Sequence, residues 1–144
     1  MEISIRKAEI TDVDSISELS HQLGFKTQNA GIKNRLNKIL KSADHCVYVA
    51  LKNEELVGWI HGFYALRVAS AFFTEIGGLV VNEKHRNNGI GKELVNKLID
   101  WSKLKDCEKI RVRCNVLRKE SHQFYENIGF EINKEQKIFN KSLL

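Results

Sequence analysis

The chain contains no proline and only three cysteines among its 144 residues. Cys46, Cys107 and Cys114 form no C-x-x-C pair and no paired spacing, so the sequence predicts reduced thiols, with no disulfide framework and no zinc site. We therefore expect no bound metal. Without proline, the turns must be made by glycine, asparagine and aspartate.

The sequence also lacks a long apolar run. No stretch approaches the roughly 18 residues that a membrane span needs. The first residues, MEISIRKAEITD, alternate and carry acids, which is unlike a signal peptide. We therefore expect a soluble, cytoplasmic protein with no membrane partner. The length, with 42% hydrophobic and 28% charged residues, fits one globular domain over residues 1–144.

Positive charge is in excess, but it is not clustered. The net charge is +5, and the lysines and arginines form no block. A nucleic-acid-binding module would need clustered basic residues interleaved with aromatic ones, so we expect no nucleic-acid partner. A solvated basic surface explains the charge, and part of it could serve a polyanionic cofactor.

Apolar periodicity predicts an α/β (α+β) domain with a mixed, mostly antiparallel central sheet. We expect about six or seven strands flanked by about four helices, in the order βααββββαβαββ. The predicted helices begin at Thr11–Asp12, near Ala30, after Gly91 and at Arg118. The predicted strands are Glu2–Ala8, Cys46–Leu51, Leu56–Leu66, Ala71–Asn82, Lys109–Cys114, Phe130–Ile132 and Gln136–Leu143.

The stretch between residues 77 and 101 holds the most distinctive pattern. An apolar run, Leu79–Val81, precedes a basic corner at Arg86, then Gly89-Ile90-Gly91 and an amphipathic helical pattern. The first amides of a helix have no partner within it, and the helix dipole favours an anion there. Glycines also let the backbone approach phosphate oxygens closely. The pattern predicts a phosphate site, although a plain strand-to-helix turn would use the same residues.

Two known phosphate motifs do not match this loop. It lacks the G-x-x-x-x-G-K-[ST] pattern, and Leu94 stands where a Rossmann fingerprint has its third glycine. The pattern that remains, R-x-x-G-x-G on Arg86, Gly89 and Gly91, resembles the acyl-CoA pyrophosphate loop of the GNAT superfamily of N-acetyltransferases. A second stretch, F-Y-x-x-x-G-F over residues 124–130, resembles the closing helix of the same family, and its Gly129 suits a left-handed helix end. The predicted element order is also that of the GNAT fold.

The resemblance implies acetyl-CoA as cosubstrate. In GNAT enzymes the fourth and fifth strands splay apart, and main-chain groups of the fourth strand bind the pantetheine arm. Gly77 and Gly78 predict a bulge there, which would free an N–H for the acetyl carbonyl. Arg118 stands where many family members have an asparagine, so the asparagine's role is not carried over to it. The implied cofactor-binding residues are Leu79, Val80, Val81, Arg86, Asn87, Asn88, Gly89, Ile90, Gly91, Lys92 and Arg118.

Two residues are candidates for the proton transfers. The resemblance implies that Tyr125 protonates the departing thiolate, although a half-buried core tyrosine would fit the same position. Glu75, in the apolar run FFTEIGGLVV, is the candidate base, because a carboxylate in such a strand needs a task or a partner. A structural ion pair is the alternative for Glu75. His61 and Glu126 are weaker candidates for the base.

The acceptor pocket should form from the loop after the first helix and from the third and fourth strands, although each candidate also fits the core or its rim. These candidates are His21, Phe25, Trp59, His61 and Phe63. We expect acetylation of a primary amine, with a small-molecule acceptor favoured. A peptide N-terminal or lysine amine, or a catalytically silent acyl-CoA-binding regulatory domain, stays open. A homodimer is compatible with the family.

Overall fold

A computed structural model of the chain describes residues 2–22, 24 and 29–144. The chain divides into two compact units, Met1–Val112 and Arg113–Leu144. The first unit holds strands β1 (Ser4–Lys7), β2 (His45–Lys52), β3 (Glu55–Arg67), β4 (Ser70–Val81) and β5 (Ile110–Val112), and helices α1 (Val13–Gln22), α2 (Asn29–Leu40) and α3 (Ile90–Leu104). The second unit holds α4 (Lys119–Asn127).

The five strands form one sheet in the order β1-β2-β3-β4-β5. The first three pairings are antiparallel and the last, β4 with β5, is parallel, which confirms the predicted mixed, mostly antiparallel sheet. Short turns join β2 to β3 and β3 to β4. In the first of these turns Asn53 and Glu54 both have positive φ, as a tight two-residue hairpin requires.

The sheet has a core on each face. Helices α1 and α2 cover one face, where Ile16, Leu36 and Val49 are buried. Helix α3 covers the other face, and its Leu98 is fully buried against Gly62 of β3. A Cβ at Gly62 would lie 2.3 Å from a Leu98 methyl carbon, so close helix–strand packing requires the glycine there.

A buried carboxylate, Asp12, stabilises the turn that leads into α1. Asp12 accepts two hydrogen bonds from the Arg6 guanidinium, at 2.8 and 2.9 Å, and one from the Glu9 N–H. The Arg6 hydrogen bond lowers the pKa of Asp12 below its usual value, against the opposing effect of burial. The sequence predicted that the first helix starts at Thr11–Asp12, and here Asp12 closes a capping box around the short 3-10 turn Ile10–Asp12.

Helix α4 ends in the manner that the F-Y-x-x-x-G-F pattern predicts. Gly129 has φ of 101°, and its N–H donates to the Glu126 carbonyl. The Phe130 N–H donates to the Tyr125 carbonyl at 2.9 Å. These two hydrogen bonds make a Schellman motif with glycine in the left-handed position.

The structure has fewer strands than the sequence predicted. Three strands, rather than the four in the expected order, lie between α2 and α3. In the part of the chain that the structure describes, residues 130–144 belong to no helix or strand, so the strands predicted at Phe130–Ile132 and Gln136–Leu143 are wrong. Ile138, Phe139 and Leu143 are largely exposed. Alternating apolar residues become a strand only where a neighbouring strand accepts their hydrogen bonds.

Candidate active site

A β-bulge interrupts the pairing of β3 with β4. His61 pairs with Gly78, whereas the next residue, Gly62, pairs with Ile76, so Gly77 is the extra residue. A Cβ on Gly77 would lie 2.6 Å from Nδ1 of His61, and one on Gly78 would lie 2.8 Å from the Trp59 ring. The predicted bulge is thus confirmed, and lack of space explains both glycines.

Strand β4 loses its parallel partner where the bulge begins. Thr74, Glu75 and Ile76 pair with β5, and within the described residues β5 ends at Val112. From residue 77 to residue 81, β4 pairs with β3 alone. Val80 is buried in the core, while Leu79 and Val81 are half-buried. One edge of β4 therefore has main-chain groups with no partner strand in the described sheet.

The loop that follows β4 presents the start of α3 to solvent. Arg86 and Asn88 are exposed, and Asn87 and Gly89 take positive φ of 66° and 78°. Gly89 is the N-cap and supplies no side-chain hydrogen bond. The amides of the first turn are thus available to an anion, with Arg86 close in sequence and Lys92 exposed.

Ile90 anchors this open helix end to the sheet. Ile90 and Gly91 are buried, and the Ile90 side chain lies at Gly58 of β3. A cofactor contact from Ile90 would therefore come from its main chain. Buried side chains thus fix the direction of α3 while its first amides stay open.

Two histidines stack on the α1–α2 face of the sheet beside the bulge. The His45 and His61 rings are nearly parallel, with centroids 5.2 Å apart, and His45 Nδ1 lies 2.9 Å from His61 Nε2. The Phe63 ring lies next to both. Burial, followed by the charge of His45, lowers the pKa of His61 to about 4. His61 is therefore a neutral ring near pH 7, with Nδ1 against the bulge.

Glu75 forms an ion pair with Arg111 of β5. Its Oε1 accepts from Arg111 Nε at 2.9 Å and from Nη2 at 2.6 Å, and both side chains are mostly buried. The Arg111 guanidinium also lies 4.2 Å from the centroid of the Phe73 ring. This pairing matches the alternative that the sequence left open for Glu75. Arg111 itself had no sequence signal beyond its alternating strand.

A pocket of about 270 Å³ lies between α1, α2 and strands β2 and β3. Trp59 and His61, two of the predicted acceptor residues, line it. Phe63 lies beside His61, whereas His21 is exposed in the last turn of α1. Phe25 lies outside the described residues.

Tyr125 and Arg118 belong to the second unit. The Tyr125 ring packs edge-on against Phe124 and Phe130, with centroids 5.0 and 5.3 Å away. Burial, and to a lesser degree Cys114, raises the pKa of Tyr125. The phenol thus stays protonated at neutral pH. Arg118 is the exposed N-cap of α4.

Sequence reasoning missed His45 and Arg35. His45 begins β2 and pairs with Phe63, a placement that follows only from the β2–β3 register. Arg35 lines the pocket from α2, and no local pattern singled it out. Within residues 2–22, 24 and 29–144, no group of three or more His, Cys, Asp or Glu could hold a metal ion. Among those same residues, no helix is both long and apolar enough to cross a bilayer.

Comparison with known proteins gives a family. A family model described as "Acetyltransferase (GNAT) family" matches residues 12–130. Among curated proteins, N-alpha-acetyltransferase 30 of Homo sapiens is 34% identical over 89 residues, which are 60% of this chain and 24% of that protein. The Xenopus laevis protein of the same name is 33% identical over 89 residues, covering 60% and 32%. The chain thus spans about a quarter to a third of these relatives.

Solved structures resemble the chain over nearly its whole length. The aminoglycoside acetyltransferase AAC(6')-Iy, in complex with the bisubstrate analog CoA-S-monomethyl-acetylneamine, has a TM-score of 0.88 at 18% identity, over 99% of both chains. Glucosamine-6-phosphate N-acetyltransferase from Arabidopsis thaliana has a TM-score of 0.80 at 24% identity, again over 99% of both chains. At such identities the likeness shows the fold.

Proposed function

Because the chain belongs to the acetyltransferase (GNAT) family, we propose that it transfers the acetyl group of acetyl-CoA to a primary amine by direct attack in a ternary complex. The observation that carries the proposal is the bulge at Gly77, directly beyond the last β4–β5 pair at Ile76. A bulge leaves its extra residue out of the ladder, so its N–H can polarise the acetyl carbonyl and stabilise the oxyanion.

The open start of α3 would hold the pyrophosphate. The amides of the first turn and the positive φ at Gly89 suit an anion, and Arg86 adds a charged donor. Main-chain groups of Leu79–Val81, on the edge without a partner strand, would bind the pantetheine amides. The remaining predicted contacts come from Asn87, Asn88, Ile90, Gly91, Lys92 and Arg118.

The reaction forms a C–N bond, breaks the C–S bond and moves two protons. The amine must lose a proton, and the thiolate must gain one. Tyr125 is the proposed acid, which its protonated state at neutral pH supports. Glu75 is the proposed base. His61 competes with it, because Glu75 is held by Arg111 whereas His61 is neutral and directs Nδ1 at the bulge.

A small-molecule amine is the favoured acceptor. A peptide N-terminal amine is the second candidate, and the curated relatives named N-alpha-acetyltransferase 30 favour it. A homodimer stays a prediction, as does a single domain over residues 1–144.

Calorimetry with acetyl-CoA tests the cofactor site. We expect Arg86→Ala to weaken binding about tenfold, because it removes a charged donor. We expect Gly89→Glu to weaken binding further, because it places a negative charge at the helix start. Lys103→Ala, which removes one charge at the opposite end of α3, is the matched control. No binding by the wild type would contradict the proposal, whereas binding without transfer to any amine would favour the silent regulatory domain.

The pH dependence of turnover separates the two candidate bases. If Glu75 takes the proton, Glu75→Gln should lower kcat by about 100-fold, and His61→Gln should lower it far less. If His61 takes the proton, His61→Gln should lower kcat far more than Glu75→Gln does. Tyr125→Phe should lower kcat with little change in acetyl-CoA affinity. Equal, small effects of both base variants would leave solvent as the acceptor of the amine proton and remove Glu75 from the mechanism.

A further inference from the structure

We propose that the pocket beside the bulge selects an acceptor amine with a hydrophobic body and one positive charge. This inference rests on the proposed acetyl transfer and names its substrate class. It separates the chain from enzymes whose acceptors carry several positive charges, such as aminoglycosides.

The pocket adjoins the position proposed for the acetyl group. Trp59 and His61 form its β3 wall, and their rings lie against Gly78 and Gly77 respectively. An amine seated in the pocket with its nitrogen toward His61 would therefore face the bulge. The ring of His61 is neutral near pH 7 and so adds no positive charge beside the amine.

The walls of the pocket are mostly apolar. Ile16, Ile32, Ile39 and Val47 line it from both helices and from β2. Its volume of about 270 Å³ suits a compact ligand. Burying a methylene group on such a wall contributes about 0.8 kcal/mol. The shape and chemistry favour an alkyl or aryl body over a polyol.

The charge of the pocket disfavours a polycation. Arg35 lines it from α2, and none of the described residues that line it is acidic. The Arg35 side chain is exposed, and its guanidinium lies beside Gly31 of α2. A second ammonium group near that side chain would be repelled, and inside the pocket it would lose water against apolar walls with no carboxylate to pair with.

The charge selection is tested with hexylamine and hexane-1,6-diamine, which differ only by a second terminal amino group. We expect the 144-residue chain with acetyl-CoA to show a kcat/KM at least tenfold higher for hexylamine, and no better activity on kanamycin than on the diamine. Arg35→Glu should lower the ratio of kcat/KM for hexylamine to kcat/KM for the diamine by about fivefold. Lys38→Glu, an exposed charge reversal one turn away on α2 that does not line the pocket, should leave the preference unchanged.

Different failures point to different conclusions. Absence of transfer to every amine, with acetyl-CoA bound, would overturn the proposed function itself. Transfer that favours the diamine or kanamycin, or an Arg35→Glu effect matched by Lys38→Glu, would overturn only the substrate class. A peptide with an N-terminal leucine preferred over hexylamine by tenfold would likewise overturn the small-amine assignment and favour the peptide acceptor.

Discussion

Gly77 and Gly89 mark the two halves of the candidate site, and each is glycine for a different reason. At Gly77 the backbone is ordinary, but a Cβ would lie 2.6 Å from the half-buried His61 ring. At Gly89 a Cβ would meet nothing within 4 Å, but φ is +78°. Lack of space excludes a side chain at Gly77, whereas the positive φ disfavours other residues at Gly89. The acceptor side is thus a packed wall, whereas the phosphate side is an open loop.

The largest expected effect is that of adding a methyl group at residue 77, where there is no room for a Cβ. Gly77→Ala should lower turnover by about 100-fold, because the bulge and its N–H must shift away from His61. It should also destabilise the fold by about 1–3 kcal/mol through overpacking. Steady-state kinetics and denaturant unfolding measure the two effects.

A double variant sharpens that result. His61→Ala removes the ring that the new methyl group would meet, so Gly77→Ala/His61→Ala should be more stable than the sum of the two single changes predicts. Simple additivity of the two unfolding free energies would show that space beside His61 is not what requires glycine at residue 77.

The free energy of unfolding at acid pH tests how far His61 is shielded from water. His61 has a pKa of about 4 in the folded chain and about 6.5 unfolded, so the unfolded chain binds a proton that the folded chain does not. Its contribution is present above pH 6.5 and is lost as the pH falls toward 4, by about 2 kcal/mol after allowance for partial solvent access.

His61→Gln should flatten the stability curve between pH 6.5 and 4. It should keep the further loss below pH 4, where Asp12, whose pKa Arg6 lowers, becomes protonated. His45 lies against the same ring, so the variant is compared with wild type at each pH. Parallel curves for the two proteins from pH 7 to pH 4 would contradict the burial of His61.

The smallest expected effect is that of replacing Gly89, where φ is positive. Gly89→Ala should destabilise the fold by about 1 kcal/mol, because alanine resists the left-handed conformation. Gly89→Asn should cost less, since asparagine tolerates that conformation. Thermal unfolding of both variants measures the difference. Equal stability of the alanine and asparagine variants would show that the loop adopts another backbone conformation at residue 89.

Local chemistry made several features predictable. The Gly77–Gly78 pair predicted the bulge, and Gly129 before Phe130 predicted the left-handed end of α4, because both depend on the few residues around them. The last two predicted strands failed for the opposite reason. Residues 130–144 carry a suitable apolar pattern, but a strand also depends on the hydrogen bonds of a distant segment.

The sequence by itself determined the family, the mixed sheet with its helices and the loop at the start of α3, since these follow from short-range patterns of glycine, charge and apolar spacing. The tertiary structure decided which side chains meet across the sheet. His45 with His61, Arg111 with Glu75, and Arg35 with Trp59 around one pocket are brought together by strand register and by helix packing on one face. Contacts between residues far apart in the chain depend on that packing, and no local pattern encodes them.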